Sequence, residues 1–288
     1  MSFSIVIPAW RGREQLKKNL PAVLKVGANE VIVGDDASPE NDAEFVKQHF
    51  PRVKVYRNEK NLGFGSNVNR GFEQTKGEII ILLNQDVSPS SDIIKYLKQD
   101  FKDPLVFGVS LAEQKFGPTK GIFKNGYVGH QPVEPVPKHI TPSFWVSGGS
   151  GAFRKAYWDE LGGFDPIYDP GYWEDIDISY RAQKKGWKIL WDPKAKVLHE
   201  REQSFSGKHF NQMFKRRIQE RNHLLFNWKN LQDQKLTKQH IWALLNRTFN
   251  NPGYLRILLM ALLKLPMLLK SREKLNLSPI SDRGLLGL

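Results

Sequence analysis

Three acidic clusters carry the residue types that could do chemistry. They are Asp35-Asp36-Ala37-Ser38, Asn84-Gln85-Asp86 and Trp173-Glu174-Asp175-Ile176-Asp177. A carboxylate at the end of a strand can hold a ribose hydroxyl, a base edge or a divalent cation, and paired carboxylates can move a proton. Each cluster also has a plain structural use. Asp and Ser after a strand cap the next helix, and acids in a first helical turn offset its dipole. A fourth segment, Asn58–Gly71, is rich in Gly and Asn and precedes a helical pattern. Its glycines permit close backbone approach, and a helix N-terminus offers N–H groups to an anion. It has neither a dinucleotide fingerprint nor a Gly-Lys-Ser/Thr phosphate loop. His199, after a short apolar run, is either a metal ligand or a hydrogen-bonded structural histidine.

The elements that must position these residues alternate. Phe3–Pro8, Glu30–Gly34, Val53–Tyr56 and Glu78–Leu83 read as buried strands, and Glu14–Val26, Asp42–Phe50 and Phe64–Gln74 as helices. Apolar strands alternating with helices indicate an α/β fold with a parallel sheet, whose ligands bind beyond the carboxyl ends of the strands. After Pro104 the pattern changes. Gly117–Pro142 reads as extended segments and a long loop, Lys155–Leu161 and Glu174–Lys185 as helices, and Lys188–Trp191 and Ala195–His199 as two short strands.

The chain has 288 residues, no cysteine and a formal net charge of +13. The missing cysteine excludes a disulfide scaffold, a thiolate zinc site and a cysteine nucleophile. The first residues lack the basic and apolar regions of a signal peptide, so a cytoplasmic address is expected. The charge is uneven: residues 1–200 hold 27 Lys and Arg against 25 Asp and Glu, whereas residues 201–288 hold 16 against 5. A cationic tail implies an anionic partner. Phe205–Trp228 reads as a basic amphipathic helix, and Leu255–Lys270 as a Leu-rich stripe too short to span a bilayer and interrupted by Lys264 and Pro266. Leu-rich helices flanked by Lys and Arg suit an anionic headgroup layer better than nucleic acid. The other use of such a helix is packing on the body or on a second subunit, which would give a homodimer.

These segments together resemble an inverting family 2 glycosyltransferase of the GT-A fold, in its rhamnosyltransferase-like branch. The resemblance covers roughly residues 1–230. It rests on Ser4–Pro8, Asp35–Ser38, Asn61–Gly71, Leu82–Val87, Gly148–Phe153, Gly162–Asp165, Trp173–Arg181 and Val197–His199 in that order. It implies an open twisted sheet in a GT-A domain over residues 1–204, followed by a basic helical extension over 205–288.

The resemblance also implies roles. Pro8, Ala9, Asp35 and Asp36 would line the base and ribose pocket, and Asn61, Gly63, Asn69 and Arg70 would shape the donor cradle. Asn84 and Gln85 would contact the nucleotide sugar, and Asp86 and His199 would ligate Mg²⁺ or Mn²⁺ at the diphosphate. Asp175 would be the general base, with Glu174 as the other candidate. Trp145, Tyr172 and Trp173 would stack on the acceptor, a glycan or lipid-linked hydroxyl at the inner face of the cell membrane. Asn84 stands where the family's metal motif has Asp, and it brings no charge. It is the one residue that favours the alternative, a GT-A body kept as a non-catalytic nucleotide-binding scaffold.

Overall fold

The computed structural model describes residues 1–114, 116–200, 211–273, 275 and 279–288. Strand β1 (Phe3–Ala9) and strand β4 (Ile79–Leu83) are buried along their whole length, as expected of β-branched runs at the centre of a sheet. Between them lie α1 (Arg13–Lys25), β2 (Glu30–Asp35), α2 (Asp42–His49), β3 (Lys54–Arg57) and α3 (Phe64–Glu73). Helix α1 turns Leu16, Leu20 and Val23 inward, the helical spacing legible in its sequence. There follow β5 (Val87–Pro89), α4 (Ile93–Asp100), β6 (Val106–Glu113), β7 (Thr119–Lys124), β8 (Tyr127–Pro132) and β9 (Thr141–Pro142). Then come β10 (Ser150–Arg154), α5 (Lys155–Leu161), α6 (Glu174–Lys184) and β11 (Lys188–His199).

The main sheet runs β3-β2-β1-β4-β10-β6-β11-β5, with β9 paired to β11. Its direction decides where the chemistry gathers. β1 is parallel to β2 and β4, β10 is antiparallel to both β4 and β6, and β11 is parallel to β6. The carboxyl ends of β1, β2, β4, β6 and β11 therefore share one edge. That edge carries Ala9, Asp35, Asn84, Glu113 and His199.

One expectation from the sequence is corrected here. Lys188–Trp191 and Ala195–His199 are one strand, β11, whose pairing with β6 shifts between Asp192 and Lys196. The extended segments expected within Gly117–Pro142 are present, and β7 and β8 pair as a hairpin. Asn125 and Gly126 turn it with φ of 53° and 81°, the left-handed pair that a tight hairpin turn requires.

The basic extension folds onto the body. Residues 201–210, which include the expected start of a helix at Phe205, lie outside the described residues. Helix α7 (Gln212–Asn230) is followed by α8 (Gln234–Asn250), α9 (Leu255–Leu262), α10 (Leu265–Glu273) and α11 (Asp282–Leu286). Leu224, Leu225 and Phe226 of α7 pack with Phe144, Ile167, Tyr168, Ile176 and Tyr180 in one apolar cluster. The apolar side of α7 is thus core, the packing on the body that was one of the uses expected of the extension. The Leu255–Lys270 stripe breaks before Pro266 into α9 and α10, bent by 56°. Among the described residues no single helix is long and apolar enough to cross a membrane.

Candidate active site

A cavity of about 290 Å³ opens at the shared carboxyl edge of the sheet. Its walls include Pro8, Ala9, Asp36, Asn61, Gly63, Asn84, Gln85, Tyr172, Glu174, Asp175 and His199. Eleven residues singled out in the sequence thus meet in one place. A second cavity of about 820 Å³ lies beside it and contains Trp145 and Trp173. Tyr172, Glu174 and Asp175 line both.

The β2 turn divides its two acids. Asp36 lines the cavity and accepts from Asn58 Nδ2 at 2.8 Å, Leu62 N at 2.9 Å and Gly63 N at 3.0 Å. Burial raises its pKa even against these hydrogen bonds. Gly63 can donate there because it takes a φ of 92°, open to glycine at no steric cost. Asp35 faces away. It accepts from Ser38 N at 2.7 Å and Ala43 N at 3.1 Å, and it pairs with Arg57, so it fastens the turn.

Other expected donor residues also have neighbours of their own. Asn69 exchanges two hydrogen bonds with the backbone of Phe164, at 2.7 and 2.9 Å. Arg70 donates to Asn58 at 2.6 Å and lies over the Tyr56 ring. Neither reaches the cavity wall. Gln85 reaches it but exchanges hydrogen bonds with the Trp10 backbone at 3.0 and 3.2 Å, which sets Trp10 in the wall. The α3 N-terminus is not open to a ligand anion. Phe64 N donates to Pro170 O at 3.0 Å, and Asp169 accepts from the Ser66 hydroxyl and backbone.

Asp86 is 1% exposed and lies just behind the wall. His199 Nε2 is 3.2 Å from its Oδ1, and His199 Nδ1 is 3.1 Å from Glu113 Oε1. Neither contact has hydrogen-bond geometry, so both Asp86 oxygens are buried without a donor. Burial disfavours a charged ring, but Asp86 and Glu113 outweigh it and raise the His199 pKa to about 9. A buried carboxylate with two unsatisfied oxygens beside an imidazole fits a divalent cation. Among the described residues no three His, Asp or Glu side chains converge as a complete cage. Most of the shell would therefore come from a ligand's phosphate oxygens and water, the usual arrangement for Mg²⁺.

The acids at the start of α6 have three different environments. Asp177 is buried and accepts from Tyr168 Oη, Arg181 Nε, Lys229 Nζ and Asn230 Nδ2, all within 2.9 Å. Burial opposes its charge, yet Lys229 and Arg181 prevail and hold its pKa well below the usual range. It joins α6 to α7. Glu174 is buried, its Oε2 has no partner, and burial together with the charge of Asp175 pushes its pKa well up. Asp175 is also raised by burial, but the Gly148 and Ile176 N–H groups at 3.0 and 2.8 Å limit the rise to about 6. Burial thus disfavours the charge of Glu174 most, while two N–H donors favour the ionised form of Asp175. The close approach uses the missing side chain of Gly148: a Cβ there would lie 3.2 Å from Asp175 Oδ2 and push it by a few tenths of an ångström.

Tyr172 and Trp173 precede α6 with φ of 73° and 77°. Bulky residues held there cost about 1–3 kcal/mol each, which the surroundings must offset. Asn222 of α7 supplies the restraint, donating from Nδ2 to the carbonyls of Tyr168, Gly171 and Tyr172 at 2.6, 2.8 and 2.9 Å. Arg221 adds a bond to Asp169 O at 2.7 Å and fixes Asn222 Oδ1 at 2.9 Å. Trp173 stacks on His223 with centroids 4.2 Å apart. Trp10, Glu113, Asp169, Arg221 and Asn222 were not singled out in the sequence. Glu113 had a signal, the end of the apolar run Val106–Ala112; the Asn222 contacts join segments 50 or more residues apart, and no local pattern announces them.

The comparisons agree with this architecture. The model of glycosyl transferase family 2 matches residues 4–158, more than half of the chain. The N-acetylglucosaminyl-diphospho-decaprenol L-rhamnosyltransferase of Mycobacterium tuberculosis is 26% identical over 209 residues, covering 60% of this chain and 67% of that protein. The crystal structure of GalNAc-T7 with UDP, GalNAc and Mn²⁺ superposes with a TM-score of 0.63 at 20% identity, over 81% of this chain and 48% of that one. The mannosyltransferase PcManGT of Pyrobaculum calidifontis, solved with GDP-Man and Mn²⁺, gives 0.56 at 14% identity, over 95% and 84%. With its mostly parallel sheet and its converging strand ends, the chain belongs to glycosyl transferase family 2 and is a glycosyltransferase of the GT-A fold.

Proposed function

We propose that the chain transfers a sugar from a nucleotide-diphosphate donor to a hydroxyl of a glycan or lipid-linked acceptor, with inversion at the anomeric carbon. The observation that carries this reading is the place of Asp175, a carboxylate held by two backbone N–H groups in the wall common to the two cavities. The smaller cavity takes the donor. Asp36 accepts from the ribose or base, Trp10 and Pro8 flank the base, and Asn84 contacts the ribose or phosphate without adding charge. The larger cavity takes the acceptor against Trp145, Trp173 and Tyr172.

In the reaction, Asp175 takes the proton of the acceptor hydroxyl as its oxygen bonds to the anomeric carbon. The bond from that carbon to the diphosphate oxygen breaks, and the nucleoside diphosphate leaves with the electron pair. A single displacement of this kind needs one base. Glu174 is buried with no partner for its Oε2, which opposes its charge, whereas two N–H groups favour the ionised form of Asp175; this favours Asp175 of the two candidates. Asp86 and His199 would hold Mg²⁺ or Mn²⁺, which when bound neutralises charge on the departing diphosphate. The Mn²⁺ in both structural neighbours and the lipid-diphosphate acceptor in the name of the mycobacterial relative support these assignments. The same reading places the chain on the inner face of the cell membrane, with its GT-A domain ending before the basic extension.

The test is a panel of nucleotide sugars screened by thermal shift with and without Mn²⁺, since a ligand that binds only the folded chain raises its melting temperature. The stabilising donor is then incubated with acceptor. An inverted anomeric configuration in the product, read by NMR, is expected. A retained configuration would exclude the single displacement.

A further inference from the structure

The second half of the extension has an exposed apolar surface that the fold does not use. Helix α8 buries Leu236, His240 and Leu244. Its other side presents Ile241, Trp242, Leu245 and Phe249, with Trp242 75% and Phe249 86% exposed. Those positions follow helical spacing and form one stripe. Helix α9 repeats the arrangement: Ile257 and Ala261 are buried, while Leu255, Leu259, Leu262 and Leu263 are exposed, Leu263 at 82%. Scattered exposed leucines are ordinary, but two successive helices with apolar outer stripes mark an interaction surface.

The charge around these stripes identifies the occupant. Residues 234–273 hold seven Lys and Arg and a single acid, Glu273; Arg247 pairs with Glu220 and Arg272 donates to carbonyls at the end of α7, while Lys235, Lys238, Arg256 and Lys270 are exposed. A symmetric dimer would set this basic surface against its own copy, and like charges brought together oppose association. Nucleic acid would satisfy the charge and leave Trp242, Phe249 and Leu263 in water. An anionic lipid surface satisfies both, because apolar side chains enter the acyl boundary while Lys and Arg meet the headgroups.

We infer that α8 and α9 form a docking face for an anionic bilayer, with Trp242, Phe249 and Leu263 as its inserted residues. This rests on the glycosyltransferase reading only for its purpose. The wall of the acceptor cavity includes Arg247 of α8 and Arg216 and His223 of α7. The helix that meets the bilayer thus also contributes a residue to the wall of the acceptor site.

Flotation of the full chain with phosphatidylcholine vesicles, with and without phosphatidylglycerol, tests the assignment. Wild type is expected to float only with the anionic vesicles, and less as salt rises. The double variant Trp242→Ser/Phe249→Ser loses two large buried contacts and should partition at least about tenfold more weakly. It should melt and transfer to a small soluble acceptor as wild type does. Leu263→Ser gives an independent reading on α9. Undiminished flotation of both variants overturns the inference. So does a wild type that ignores anionic vesicles and sediments as a dimer that these substitutions dissociate. Asp175→Asn should float like wild type, so failure of the docking face and failure of the catalytic reading are distinguishable.

Discussion

The side-chain amide of Asn222 donates to the carbonyl of Tyr172 at 2.9 Å, from a helix 50 residues downstream. This bond and its two companions hold the left-handed backbone of Tyr172 and Trp173, and so set where α6 begins and where Asp175 points. Asn222→Ala leaves three carbonyls without this donor, and an unpaired buried group costs about 1–3 kcal/mol. A lower melting temperature is expected, with a fall in kcat larger than any rise in donor KM. A variant as active as wild type would show that the loop holds its shape without α7.

The cation site is tested through Asp86. Asp86→Asn keeps the shape and removes the charge, so nucleoside diphosphate binding in Mn²⁺ should weaken while binding without metal hardly changes. Calorimetric titration separates the two. Equal loss in both conditions would mean that Asp86 supports the pocket and does not hold a cation.

In the larger cavity, Trp145 lies tilted by 51° to His130, with centroids 5.5 Å apart, and lines the space. Trp145→Ala should raise the acceptor KM about three- to tenfold, the range of a lost aromatic contact. The donor KM should stay put. Steady-state kinetics with each substrate varied in turn decides this, and a rise confined to the donor would reverse the assignment of the two cavities.

Away from the site, Asp100 is buried beside Asp192, and burial together with that neighbouring charge raises its pKa from 3.8 to about 7. The folded chain therefore binds this proton more tightly than the unfolded one. Its contribution to stability is complete below about pH 4 and is lost as pH rises through 7. Asp100→Asn should gain in melting temperature relative to wild type at pH 8 compared with pH 5. A difference independent of pH would show that the Asp100–Asp192 proximity carries no such penalty.

Much of the site was legible in the sequence because a parallel α/β sheet gathers strand ends. Asp36, Asn84 and His199 each follow an apolar run, and once those runs are strands of one sheet the residues must converge. What could not be read was the direction of each side chain. Asp35 and Asp36 are adjacent and alike, yet one closes a turn with Arg57 and the other faces the cavity. Likewise, spacing alone does not separate Glu174, Asp175 and Asp177. Their difference comes from Lys229, Arg181 and the Gly148 N–H, which tertiary packing brings in. The helical extension illustrates the same limit: composition marked all of it as basic and apolar, and only packing shows that α7 and one side of α8 join the core while the other side of α8 leaves an apolar stripe exposed.

Asp175 also fixes the expected pH dependence. A base must be ionised to accept a proton, so kcat/KM should fall as pH drops below about 6, the value set by its burial and its two N–H donors. Flat activity down to pH 5 would place the base elsewhere.

The most direct measurement is the turnover of Asp175→Asn alongside its donor affinity. The amide keeps the size of the side chain and cannot take the proton. Turnover is expected to drop about 10²–10⁴-fold, the usual contribution of a general base, with donor binding close to wild type. Turnover near the wild-type rate in a folded variant that still binds donor would contradict the account.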